Sequence, residues 1–287
     1  MSGVRIVPVN FFDEVTDLAV TSEASASLAV ENLQSPVSGD VWRSTNLNAQ
    51  VITGTFGGNA RRISHLSIWP AREGSCLIGA QVAVRMWSDV AQTTLTRNAA
   101  AANVFTPTGG NWNEFLWGIQ SWNVDNDDRT ARLQPFLSWF SPIAVSAFEI
   151  TITNAGAVDK PYFEASRIVL GDYVDAPYNA GLGAAPQWGT TSRANRTRGG
   201  SRRSLTGTQH RELRFETVFD TEAERSKWSD IVRVCDPANE ILISLFPGDA
   251  TPKKERDFTV LGSLESLNPM VFESTTLHRA QFAIVEN

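Results

Sequence analysis

The feature that most constrains what this chain can fold into is a repeated two-residue alternation of apolar and polar side chains between Val41 and Tyr173. Gln81 to Ser88 sets Val82, Val84 and Met86 against Gln81, Ala83, Arg85 and Trp87. Ala147 to Thr153 sets Phe148, Ile150 and Ile152 against Glu149, Thr151 and Thr153, and Ile63 to Trp69 places Leu66 and Ile68 two apart. Successive side chains leave a strand on opposite faces, so each segment offers one face to a core and one to solvent. Antiparallel sheets, which can stay wet on one side, have this pattern. Gly57-Gly58-Asn59, Gly109-Gly110-Asn111 and Asn154-Ala155-Gly156 supply turns between the runs, and no long helical period interrupts them. Residues 21–174 are therefore expected to form a mainly β domain, a β-sandwich or jelly roll, entered through an exposed Ser/Ala/Glu-rich connection, Thr21 to Glu31.

Asp175 to Gly207 breaks the pattern with two prolines, six glycines and five arginines, and reads as a long irregular connection over 175–207. Beyond it, Leu213, Phe215 and Phe219 suggest a strand. Thr221 followed three residues later by Glu224 is a capping box. Trp228, Ile231, Val232 and Cys235 then share one helical face, and Pro237 stops the helix. Ile241 to Phe246, Asp257 to Gly262 and Leu277 to Val285 read as strands. Residues 208–287 thus predict a small α+β domain with one helix, a thin core for a chain segment of that size. The short strand Val4 to Asn10, within residues 1–20, is expected to pair into it, which makes the sandwich an insertion.

Composition narrows the function classes. A chain of 287 residues has room for about two domains. Its longest apolar runs fall far short of the ~20 residues that span a bilayer, and its first ten residues lack the basic-then-apolar order of a secretory signal. A net charge of −6 argues against a dedicated nucleic-acid binder. Cys76 and Cys235 are far apart, so neither a disulfide framework nor a Cys-rich zinc site is expected. Of the three histidines, His65, His210 and His278, none belongs to a metal-binding motif, and there is no GxSxG nucleophile motif. The glycines around Gly54 and Gly181 do not lie between a strand and a helix, the context that a phosphate-binding loop needs. The expectation is no enzyme and no cofactor.

Three clusters remain. Asp125, Asp127 and Asp128 are the densest carboxylates; they lack EF-hand spacing and read as a solvated turn rather than a cation site. Seven of nine tryptophans fall in the sandwich region. Trp87, on the strand face of Gln81 and Arg85, and Trp112, Trp117 and Trp122, crowded among Asn and Gln, form a candidate glycan or partner surface. A pyranose offers an apolar face to an aromatic ring and hydroxyl edges to amides, and protein interfaces use the same residues. Arg193, Arg196, Arg198, Arg202 and Arg203 are candidate assembly contacts: a guanidinium loses less entropy per hydrogen bond than an ammonium, and this chain has 21 arginines but four lysines.

Ala29-Val30-Glu31-Asn32-Leu33 followed by Val41-Trp42-Arg43-Ser44-Thr45 resembles the opening of discoidin-like sandwich domains in bacteriophage virion proteins. Arg167-Ile168-Val169-Leu170-Gly171-Asp172-Tyr173 is similar to the closing strand of that module. Asn179 to Gly183, Trp188, the arginine run with Gly199-Gly200, and Arg211 to Phe219 resemble the C-terminal half of minor tail proteins of long-tailed phages. The resemblance implies a structural component of the distal tail or baseplate, located at the tail tip of the virion after synthesis in the host cytoplasm. It implies a homo-oligomeric ring formed through the C-terminal domain, contacts with tail tube, hub and fibre proteins, and a sandwich presented outward. The alternative it leaves open is a carbohydrate-binding module that contacts host cell-surface polysaccharide.

Overall fold

A computed structural model of the chain describes residues 3–71, 77, 79–104, 135–155, 160–181, 184–196, 201–205, 207–235, 239–249, 252–265, 271–272 and 278–286. The chain divides into two compact units, one made of Met1–Val9 with Tyr173–Asn287 and the other of Asn10–Asp172. The first strand, β1 (Arg5–Val7), belongs to the discontinuous unit.

The continuous unit is a β-sandwich. Its strands are β2 (Ala19–Val20), β3 (Trp42–Arg43), β4 (Gln50–Thr55), β5 (Arg61–Trp69), β6 (Ala80–Trp87), β7 (Leu95–Asn103), β8 (Phe136–Val145), β9 (Ala147–Asn154), β10 (Glu164–Ala165) and β11 (Arg167–Gly171). They form an antiparallel five-stranded sheet, β2-β4-β9-β6-β7, a three-stranded sheet, β11-β5-β8, and a β10–β3 pair. The alternating residues meet between the sheets. Val82, Val84, Met86, Phe148, Ile150 and Ile152 come from one side, and Leu66, Ile68, Phe136, Phe140, Ile168 and Leu170 from the other. Each such side chain contributes about 1.5–3 kcal/mol of burial. Gly57 and Gly58, at φ +60 and +88, make the β4–β5 turn in a left-handed conformation that a Cβ would strain.

Polar pairs tie the sandwich rim. The buried Arg167 guanidinium makes a two-pronged bond to Asp13 at 2.7 Å per arm and also donates to the Leu33 carbonyl. Arg43 donates to Glu164 at 2.6 Å and lies over the Tyr162 ring. Arg97 of β7 covers the Phe140 ring of β8 and donates to Ser138 Oγ, so it bridges the two sheets.

Thr21 to Glu31 is largely exposed, as expected, with Val30 alone buried; the 3₁₀ turn Val30–Gln34 then carries Val30 and Leu33 into the core. Two sequence readings change here. Asn10–Val20 belongs to the sandwich unit, where Phe12 is buried beside Phe148. Trp87, read as a surface aromatic, is only 9% exposed. Trp87 stays in register with Ala147 of β9, and the extra residue of the irregular β6–β7 ladder, Thr96, lies on β7, so alternation holds and burial reaches both faces at this end of β6.

The discontinuous unit continues with β12 (Val174–Asp175), β13 (Ala185–Thr190), β14 (Arg193–Arg196), β15 (Arg202–Leu205) and β16 (Gln209–Phe219). Helix α1 (Glu222–Val234), β17 (Ile241–Ser244), helix α2 (Pro252–Asp257), β18 (Thr259–Leu264), β19 (Val271–Phe272) and β20 (His278–Glu286) complete it. The main sheet is antiparallel in the order β12-β1-β17-β18-β20-β16-β13, with β19 also pairing β20. Thr221 caps α1 by accepting the Glu224 N–H. One helix face carries Trp228, Ile231 and Cys235 onto the sheet, with the Trp228 ring 5.3 Å from Phe219 and 5.6 Å from Phe282. The fold has a second, short helix, α2, and β18 begins at Thr259, where a strand from Asp257 was expected.

The largest correction concerns residues 175–207. The stretch read as an irregular connection contains β12, β13, β14 and β15. Its glycines and small polar residues gave no apolar alternation to read, because the ladder there is held by backbone pairing and turn-side hydroxyls rather than by a core.

Candidate functional site

The β13/β16 hairpin outruns the sheet that supports it. β20 pairs β16 only from Glu212 to Phe219, whereas β13 pairs it from Arg214 back to Gln209. The ladder then continues outward. Thr191 N–H donates to the Thr208 carbonyl at 3.0 Å, and Thr208 N–H donates to Thr191 Oγ1 at 2.9 Å. Gly207 N–H donates to Ser192 Oγ at 2.8 Å. Past this irregularity β14 pairs β15, with Arg193 opposite Leu205, Asn195 opposite Arg203 and Arg196 opposite Arg202. The seven residues Thr190 to Arg196 extend this two-stranded arm by roughly 23 Å at about 3.3 Å per residue.

The arm has no core. Every described residue from Thr190 to Arg196, with Ser201, Arg203, Ser204 and Leu205, is exposed. An antiparallel ribbon of two strands is marginal in water without a third strand or a packed face. Two large apolar side chains are also left in solvent along it, Trp188 at 58% and Leu205 at 71% exposure.

The base of the arm is clamped. Arg211, 7% exposed, donates through Nε and Nη2 to Glu286 Oε1 at 3.1 and 2.6 Å and through Nη1 to the Arg256 carbonyl at 3.1 Å. Its own N–H donates to Glu286 Oε2. Gly189 lets the His210 ring lie against the neighbouring backbone, because a Cβ there would come within 2.3 Å of His210 Nε2.

The arm carries the arginine candidates. Arg193, Arg196 and Arg203 are exposed and make no ion pair among the described residues; Arg202 lies on β15, and Arg198 is outside the described residues. Between Ala185 and Gln209 there are five arginines and no Asp or Glu. The sequence reading singled out these arginines, named Trp188 only among the residues of the resemblance, did not single out Leu205, and missed that a hairpin presents them. Two exposed apolar residues flanking an arginine run were the available signal.

Trp112, Trp117 and Trp122 lie outside the described residues, as do Asp125, Asp127, Asp128 and Cys76. Their segment joins β7 to β8, and so passes from the five-stranded to the three-stranded sheet. It starts at the sandwich end where Gln81 Nε2 donates to Asn103 Oδ1 and Val104 N–H donates to the Ala80 carbonyl. Among the described residues no group of three or more His, Cys, Asp or Glu could hold a metal ion, and no helix is long and apolar enough to cross a membrane.

No protein-family model and no curated protein matches this chain. Solved structures similar to it include chitosan-binding module 1 of a chitosanase/glucanase from Paenibacillus sp. IK-5, at 12% identity over 57% of this chain and 99% of that one, with a TM-score of 0.38. The family 32 carbohydrate-binding module of Clostridium perfringens NanJ, in complex with galactose, is similar at 16% identity over 60% of this chain and 99% of that one, with a TM-score of 0.38. CpGH89CBM32-5 from Clostridium perfringens, in complex with GalNAc-β-1,3-galactose, is similar at 11% identity over 54% and 94%, with a TM-score of 0.37. The sandwich assignment itself rests on the two facing sheets and their shared core.

Proposed function

We propose that this chain is a non-catalytic structural component in which the discontinuous sheet unit assembles with further copies and the sandwich is a recognition module carried by it. One observation supports the reading above the others. β1 and β12 are neighbours in the main sheet, with Arg5 opposite Asp175 and Ile6 opposite Val174. The chain leaves the sheet after β1 and returns beside its own exit, so the whole sandwich is inserted without breaking the sheet. Insertion at adjacent chain ends is how a module is added to a unit that keeps a separate task.

The sequence resemblance supplies the setting, the distal tail or baseplate of a long-tailed phage, with tail tube, hub and fibre proteins as neighbours. Electron microscopy and native mass spectrometry of the purified chain test the assembly, with ring-shaped homo-oligomers as the expected result. Mass spectrometry of purified virions tests the setting, and absence of the chain from the particle would sink it.

A second reading gives the sandwich its ligand class, cell-surface polysaccharide. It is favoured by a tryptophan- and amide-rich sequence between the β7 and β8 strands of a β-sandwich, since connecting segments carry function on a rigid scaffold. A glycan array that includes chitosan oligosaccharides and galactose-terminated glycans is the test. Binding that is lost in Trp112→Ala, Trp117→Ala or Trp122→Ala supports this reading, and no binding to any host polysaccharide overturns it.

A further inference from the structure

We propose that the arm formed by β14 and β15, with the outer ends of β13 and β16, docks on the acidic body of a second copy of this chain. The inference rests on the assembly reading above and names the surface that performs it.

The argument begins with charge. The chain has 25 basic and 31 acidic residues, a net of −6. The segment Ala185 to Gln209 holds five of the basic residues and none of the acidic ones. Without the arm, 20 basic residues face 31 acidic ones, so a +5 arm extends from a body at −11. A polyanionic nucleic acid that approached the arm would also meet this body, and like charge there opposes it. A second copy supplies carboxylates on the same scale as the arm's guanidinium groups.

The arm's own structure points the same way. Arg193, Arg196 and Arg203 are exposed and make no ion pair among the described residues, and the arm's sequence holds no carboxylate to meet them. The described residues from Thr190 to Arg196 and Arg203 to Leu205 are all exposed, so a partner can reach them. Trp188 and Leu205 add apolar anchors beside the arginines, and tryptophan and arginine are the residues on which interface energies concentrate. An arm that docks on the body of the next copy makes a head-to-tail contact, the kind that closes into rings.

The test uses the full chain. A photo-crosslinking residue at Leu205 is activated in a mixture of unlabelled and ¹⁵N-labelled protein, and Arg193→Glu/Arg203→Glu and Trp188→Ala are compared with wild type by sedimentation at low and high salt. The expected result is crosslinks between copies, from the arm to body peptides rich in Asp and Glu. The charge-reversed pair should weaken association at least tenfold at low salt and less at high salt, where screening has already removed part of the attraction. Trp188→Ala should weaken it at both. Unchanged thermal unfolding of the variants shows that the fold is intact. Oligomers that persist unchanged with the reversed arm, or crosslinks confined to one copy, overturn the arm's role and leave assembly standing. A chain that is monomeric throughout overturns both. Binding of a DNA or RNA duplex that the reversed arm abolishes, without self-association, assigns the arm to nucleic acid and overturns the proposal.

Discussion

Trp188 and Arg211 are directly opposite each other in the β13/β16 ladder, yet one is 58% exposed and the other 7%. This pair marks the line where the sheet stops being a core element and becomes an arm. Inward of it, Leu213 is buried opposite Pro186, and outward of it, from Thr190 and Gln209 on, the paired residues are exposed. The two residues should therefore respond in opposite ways to truncation. Arg211→Ala leaves Glu286 with the backbone N–H of residue 211 alone and takes the donor from the Arg256 carbonyl, and should cost about 1.5–3 kcal/mol in urea unfolding. Trp188→Ala should stay within about 0.5 kcal/mol of wild type for a dilute, unassociated chain.

The Asp13–Arg167 pair predicts a non-additive result. Asp13→Ala takes the carboxylate from a buried guanidinium that keeps the Leu33 carbonyl, and should cost about 1.5–3 kcal/mol. Asp13→Leu combined with Arg167→Met removes both charges together and should recover most of that loss. Equilibrium denaturation of the single and double variants measures the coupling, and an additive outcome would show that the pair is not acting as a unit.

Cys235 predicts a pH dependence. Burial pushes its thiol up to about 11 from an ordinary 9.0. The unfolded chain releases this proton at lower pH than the folded one, so the thiol's contribution to stability is complete below pH 9 and is lost as pH rises through 11. At about 1.4 kcal/mol per pH unit, the loss is roughly 3 kcal/mol. The stability difference between wild type and Cys235→Ala should narrow over that window in denaturant titrations. The native thiol should also resist alkylation at pH 8, because the thiolate is the reactive form.

The N-cap of α1 gives a smaller, local effect. Thr221→Ala removes the acceptor for the Glu224 N–H and should cost about 1 kcal/mol, read as a shift of the denaturation midpoint with unchanged slope. Thr221→Asp should restore it.

The parts legible in the sequence are those where burial imposes a period. Val82, Val84 and Met86 announce β6, and Phe148, Ile150 and Ile152 announce β9, because one face of each is packed and the other is not. Trp228, Ile231 and Cys235 announce α1 for the same reason. The arm was not legible, because a strand exposed on both faces has no alternation to display and its Gly, Ser, Thr and Arg residues have the composition of a linker. Helix α2 spans six residues, too few for a helical period to stand out. The Asp13–Arg167 pair joins residues 154 apart in the chain, and neither residue type signals the other. Trp87 keeps its place in the alternation, opposite Ala147 of β9, but alternation cannot foresee that the second face of a strand is covered at one end.

The pairing of β1 with β12 has a consequence for how such a chain can change over generations. Exit and re-entry lie on adjacent strands, about 5 Å apart. Any domain whose own ends lie that close could take the place of Asn10–Asp172 without altering a single rung of the main sheet. A gene carrying this layout can exchange its sandwich as a cassette, by recombination at two short boundaries, and leave the sheet that carries it intact.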